Sequence, residues 1–122
     1  MITGTQILCH LIGDYLLQNS WMALNKTTRW IPAMVHACFY SIPFLFITGI
    51  SWSIPVICVT HCIIDRFRLP KYFIWAVNGF KGKITLTGYS KETPDWLSTW
   101  LLIIVDNTWH LLINGLAINY IS

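Results

Sequence analysis

Four apolar stretches, at residues 2–18, 31–48, 52–67 and 96–119, alternate with short segments that collect the polar residues. A helix that crosses a hydrocarbon layer needs roughly 20 apolar residues, with a lower limit near 17, so each stretch is a candidate span. Pro32 falls in the first turn of the second stretch, where it is tolerated, and Pro43 near its middle should kink it. Gly49-Ile50-Ser51 reads as a tight turn, Pro70 stops the third helix, and Thr93-Pro94-Asp95 opens the fourth. Residues 71–80 are too short to span and read as an interfacial segment; 81–94 reads as an ordered loop or a short hairpin. The pattern predicts an all-α fold, a four-transmembrane-helix bundle forming one domain over residues 1–122. No signal-peptide cleavage is expected, because the first stretch lacks a basic leader and is broken by His10 and Asp14.

Composition strengthens the membrane reading. Hydrophobic residues make up 55% of the 122, and charged residues only 11%, against about 25% in an ordinary soluble domain. Too few charges remain to clothe a water-facing surface. The eight basic residues, Lys26, Arg29, Arg66, Arg68, Lys71, Lys81, Lys83 and Lys91, all fall in or beside the connections 19–30 and 68–95. By the positive-inside rule those two connections are cytoplasmic, which places both termini on the outer (periplasmic) side of the inner membrane. The net charge of +3 is then topological and predicts no nucleic-acid partner. The four cysteines, Cys9, Cys38, Cys58 and Cys62, sit in apolar stretches without zinc-ribbon or disulfide-framework spacing and read as buried free thiols.

The polar residues inside the apolar stretches change the picture from span to site. His10 and Asp14, His61 and Asp65, and Asp106 and His110 are each four residues apart, and His36 lies in the remaining stretch. On a helix, positions i and i+4 share a face. Asp14, His36 and His61 each fall about five residues from the same side of the membrane, roughly 7 Å deep, so side chains from the spans can meet at one level. An aspartate at the centre of a span costs about 2.5–3.5 kcal/mol. A polar network alone returns only about 0.6 kcal/mol per interhelical hydrogen bond, a small return for seven titratable groups.

A metal site is the stronger reading. Imidazole and carboxylate suit zinc, manganese or iron, with zinc favoured. The candidate ligands are His10, Asp14, His36, His61, Asp65, Asp106 and His110. Seven groups exceed the needs of one four-coordinate ion. Either two divalent ions share bridging carboxylates, the favoured arrangement, or some aspartates orient histidines instead. No lysine or arginine lies within a span to compete with a cation. Asp14, Asp65 and Asp106 are the candidate catalytic groups of a metal-assisted hydrolysis. Its expected substrate is a lipid or lipid-linked phosphate near the cytoplasmic leaflet, where Arg66, Arg68, Lys71, Lys81 and Lys83 form a basic mouth. Di-iron bundles use glutamates, and none lies in a span. A metal or proton carrier would need polar residues through the outer half of the spans, which is mostly apolar. A non-enzymatic interaction protein is the other alternative. Membrane lipid is the expected partner, and self-association into a homo-oligomer is open to so small a bundle.

The opening His10-Leu-Ile-Gly-Asp14-Tyr15-Leu-Leu-Gln18, followed by Trp21-Met22-Ala23 and Asn25-Lys26, resembles that of an uncharacterised family of short bacterial and phage membrane proteins, a domain of unknown function. His36 with Tyr40, Thr60-His61-x-x-x-Asp65 and Asp106-x-x-x-His110 continue the likeness, with Asn107 where family members often carry glutamine. The resemblance implies no reaction, and its phage association implies an accessory role such as host-envelope modification or exclusion. A looser similarity, resting on the His/Asp pairs, runs to inner-membrane proteins described as metal-dependent hydrolases.

Overall fold

The computed structural model describes Met1–Ser122 and is all-α, as the pattern predicts. The helices are α1 (Gly4–Leu11), α2 (Ser20–Asn25), α3 (Trp30–Thr48), α4 (Ser53–Phe67), α5 (Pro70–Val77) and α6 (Asp95–Ile121), with a π turn at Ile12–Leu16 directly after α1.

The expected four spans are corrected to two. Only α3, with 19 residues, and α6, with 27, are long and apolar enough to cross a membrane. The reason is length. α1 has eight residues and the π turn five, together rising about 20 Å, and the 15 residues of α4 rise about 22 Å. Both fall short of a hydrocarbon core of about 30 Å. The sidedness of the termini and of the connections 19–30 and 68–95 was inferred from four spans, and it lapses with that count.

The chain forms two compact units: Met1–Phe67 with His110–Ser122, and Arg68–Trp109. In the first unit Cys9, Tyr40, Phe44, Ile57 and Ala117 form a buried apolar cluster. Ala33 and Ala37, one turn apart on α3, are fully buried against Cys62 and Cys58 of α4. Such small side chains let two helix backbones approach closely. All four cysteines are free thiols; Cys9 and Cys62 are buried, whereas Cys38 is exposed and Cys58 half-buried.

Local chemistry explains the short helices. Thr3 and Gln6 make a reciprocal capping box, with the Thr3 hydroxyl accepting from the Gln6 N–H at 3.2 Å and Gln6 Oε1 from the Thr3 N–H at 3.3 Å. Asn19 caps α2 by accepting from the Met22 N–H at 2.9 Å. At Gly13 the π turn lies against α3: a Cβ there would stand 2.6 Å from the Tyr40 carbonyl oxygen and 3.0 Å from Tyr40 Cα. Backbone cannot yield as a flexible side chain can. Gly13→Ala is therefore expected to cost about 1–3 kcal/mol of stability by overpacking, read as a lowered thermal midpoint in detergent; an unchanged midpoint would refute the packing account.

In the second unit, α5 starts at Pro70, a position where the missing N–H costs nothing. It buries Ile74. Residues 78–94 contain no helix or strand, so the ordered loop is found and the hairpin is not. Asp95 begins α6 at the expected place.

Candidate metal centre

The centre is built outward from α4. His61 and Asp65 lie one regular helical turn apart, and His61 Nε2 is 3.2 Å from Asp65 Oδ2. α3 supplies His36, whose Nε2 is 3.0 Å from His61 Nε2 and 3.3 Å from Asp65 Oδ2. The π turn supplies Asp14, with Oδ1 at 3.2 Å from His36 Nε2 and 3.9 Å from His61 Nε2. All four side chains are buried, and their ligand atoms lie within 4.8 Å of one another.

These distances can be set against a known coordination geometry. A tetrahedral zinc ion with bonds of 2.0–2.1 Å separates its ligand atoms by about 3.3 Å. Five of the six edges of this set measure 3.0, 3.2, 3.2, 3.3 and 3.9 Å. The spacing fits a single small cation, and two imidazoles with two carboxylates are a suitable donor set.

The neighbours of the four hold them in place. His110 Nε2 contacts the second carboxylate oxygen of Asp65 at 3.2 Å, and its Nδ1 lies 3.2 Å from His61 Nδ1. Contacts of this kind on the far side of a ligand fix its orientation. Tyr40 stacks on the His61 ring at 3.6 Å between centroids. Its hydroxyl meets His10 Nδ1 at 2.7 Å and accepts a hydrogen bond from the Asn114 amide.

Burial, opposed by the Asp65 carboxylate, holds the His61 imidazole down to about 4, which leaves it neutral at pH 7 with a lone pair to offer. Burial would raise the Asp14 carboxyl, but the hydrogen bond with His36 and the charges of Lys26 and His61 outweigh it and hold the group below its usual range. Asp65 is lowered in the same way, by His61, Lys26, His110 and His36 against the effect of burial.

Two findings bear on the expectations. Asp14 joins the four, while His10 Nδ1 meets the Tyr40 hydroxyl and its ring lies 5.9 Å from that of His110. The second concerns basic residues. Lys26 was placed in a connection, away from the site, yet its Nζ lies 2.8 Å from Asp65 Oδ2, 3.5 Å from Asp14 Oδ1 and 3.2 Å from His36 Nε2. The ammonium caps one face of the four-atom set. α2 brings it there: Asn19 starts the helix, and Lys26 ends it with its N–H bonded to the Met22 carbonyl. Arg66 secures the same segment by donating to the Thr27 carbonyl at 3.1 Å and stacking over Trp30, so it is not part of an open basic mouth. Asp106 lies on α6 one turn before His110, half-buried, in the unit Arg68–Trp109.

Spacing and composition do not mark Lys26, because a lysine in a polar connection is ordinary; its one signal is its place in the Asn25-Lys26 pair of the family resemblance. Tyr40 and Asn114 each stand four residues after a histidine, His36 and His110, and that spacing was readable.

The sequence matches the family described as protein of unknown function (DUF3307) over residues 2–113. The chain belongs to the DUF3307 family. Membership covers all seven of the predicted His/Asp positions, and it agrees with the resemblance to an uncharacterised family. No curated protein and no solved structure matches this DUF3307 chain.

Proposed function

We propose that this DUF3307 protein is a metal-dependent hydrolase of the inner membrane, acting on a lipid or a lipid-linked phosphate. The observation that carries the reading is the convergence of Asp14, His36, His61 and Asp65 at tetrahedral spacing inside the protein. His36 and His61 would hold the ion through Nε2, and Asp14 and Asp65 through one oxygen each. Bound there, a divalent cation supplies Lewis-acid polarisation and acidifies water to a pKa near 7. His110 and Tyr40 keep His61 and Asp65 in one orientation. Lys26 covers the face by which a water or a phosphoryl oxygen would approach, and its ammonium is a partner for phosphate once it swings clear. α3 and α6, long and apolar enough to cross a membrane, support a membrane setting, in which a lipid-borne substrate is the natural choice.

These four ligands suit one of the two ions expected from the count of seven. Metal analysis of the protein purified in detergent is expected to give at least one equivalent of zinc, manganese or iron. Less than a tenth of an equivalent, unchanged by His61→Ala, would sink the proposal.

Lys26 supports a second reading. An ammonium within 2.8–3.5 Å of two carboxylates and an imidazole is itself a cation that satisfies the cluster. In that case the seven groups and Lys26 hold the helices together, and the protein acts by binding other membrane proteins. The metal analysis separates the two.

A further inference from the structure

The second unit contains a pocket that neither reading uses. The loop 78–94 borders an open cavity of about 700 Å³ lined by Trp75, Lys81, Lys83, Ser90, Lys91 and Thr93. A neighbouring cavity of about 790 Å³ shares Lys83 and Lys91 and adds Lys71 and Asp95. Of the residues lining the first, Glu92 is the sole acid against three lysines. Ammonium groups, hydroxyls and an indole are the chemistry of a phosphate-bearing ligand.

The loop is built rather than draped. The Thr85 hydroxyl donates to the Tyr89 carbonyl at 2.6 Å and accepts from the Gly88 N–H at 3.1 Å, while the Tyr89 N–H donates to the Thr87 hydroxyl at 3.3 Å. Gly88 is buried at φ 86°. A Cβ there would run into the Lys71 carbonyl oxygen and stand 2.9 Å from Ile74 Cβ. The turn 85–89 between the exposed Lys83 and Lys91 is thus packed against α5, which lowers the ordering cost of bringing the lysines to one ligand.

The surroundings favour a membrane source for that ligand. α6, apolar enough to cross a bilayer, begins at Asp95 directly after the loop. Trp96 and Trp100 in its first turns are 68% and 61% exposed, as residues of an interfacial aromatic belt are. Tyr72 and Phe73 of α5 are also exposed. A loop at this level sits among lipid phosphates, where each basic residue adds about 1 kcal/mol of attraction to an acidic surface.

We propose that the loop 78–94 is a binding site for the phosphate of an acidic phospholipid headgroup. The site depends on α6 lying in a membrane, as the proposed function also does, but it requires neither the metal nor hydrolysis.

The test is calorimetric titration of the full chain in dodecylmaltoside with short-chain phosphatidylglycerol, short-chain phosphatidylcholine and inorganic phosphate. Saturable binding of phosphatidylglycerol is expected, at least tenfold tighter than phosphatidylcholine. Lys81→Gln/Lys83→Gln/Lys91→Gln should weaken it at least tenfold. Gly88→Ala, which keeps every lysine, should do the same, and so should Thr85→Val. Loss in Thr85→Val with an unchanged thermal midpoint assigns the site to the folded loop; in Gly88→Ala the loss should come with a lowered midpoint, because its Cβ would run into the Lys71 carbonyl. Wild-type affinity in Gly88→Ala and Thr85→Val would reduce the effect to diffuse charge and overturn the proposal. No saturable binding of phosphatidylglycerol, or inorganic phosphate binding more tightly, would overturn the lipid source. Metal content of the triple variant should equal that of the wild type; a metal-free protein that still binds the headgroup would strike the hydrolase reading and leave this one standing.

Discussion

Lys26→Met is expected to tighten divalent-metal binding by about a hundredfold while destabilising the metal-free protein by about 3 kcal/mol. Both effects come from one contact set. The Lys26 ammonium lies 2.8 Å from Asp65 and 3.5 Å from Asp14, and a bound cation must share those carboxylates with it. Two like charges about 4 Å apart repel by roughly 4 kcal/mol at the effective dielectric of a protein site, so removing the lysine removes most of that opposition. Without a metal, the same substitution leaves two buried carboxylates short of a cation, which costs about 3–5 kcal/mol when a buried pair is broken. Methionine keeps the length and the apolar stem, so packing is largely preserved. The checks are metal affinity by competition with a chelating dye and thermal midpoints with and without metal. A destabilised variant that binds no metal in either form would favour the second reading, in which Lys26 is the cluster's permanent cation.

Asp65→Asn should be the more damaging change. Asp65 Oδ2 faces Lys26, His36 and His61, and Oδ1 faces His110, so both of its oxygens are engaged. The amide keeps the shape and removes the charge. Since loss of an outlying partner of a ligand already costs 10–100-fold in metal affinity, loss of Asp65 itself should exceed 100-fold, together with any hydrolytic activity. Lys26 loses its nearest counter-charge as well, so the metal-free protein should be less stable than the wild type. Metal analysis and denaturant unfolding in detergent read the two effects. A variant that retained a full equivalent of metal would remove Asp65 from the ligand set.

The contrast between α4 and the first stretch shows what spacing can and cannot say. His61 and Asp65 lie on an unbroken helix, and their four-residue separation delivered two groups to one place, as the periodicity requires. His10 and Asp14 have the same separation across the start of the π turn, yet Asp14 joins the four and His10 meets Tyr40. Hydrophobic content had a similar limit. It identified where apolar segments lie, and it overcounted the spans, because the number of residues in one continuous helix decides whether a segment crosses a bilayer. α4 ends after 15 residues, and α1 gives way to the π turn after eight.

The sequence by itself determined the all-helical fold, the positions of α3 and α6, and six buried histidines and aspartates, His10, Asp14, His36, His61, Asp65 and His110, because these follow from local periodicity, propensity and the cost of burying charge. The tertiary structure decided which of those groups share a point in space. It chose Asp14, His36, His61 and Asp65, gave Tyr40 and His110 supporting places, and brought Lys26 from a polar connection to the face of the site. That choice depends on how separate helices pack and where a turn widens, and these are sums of weak long-range contacts that leave no fixed spacing along the chain.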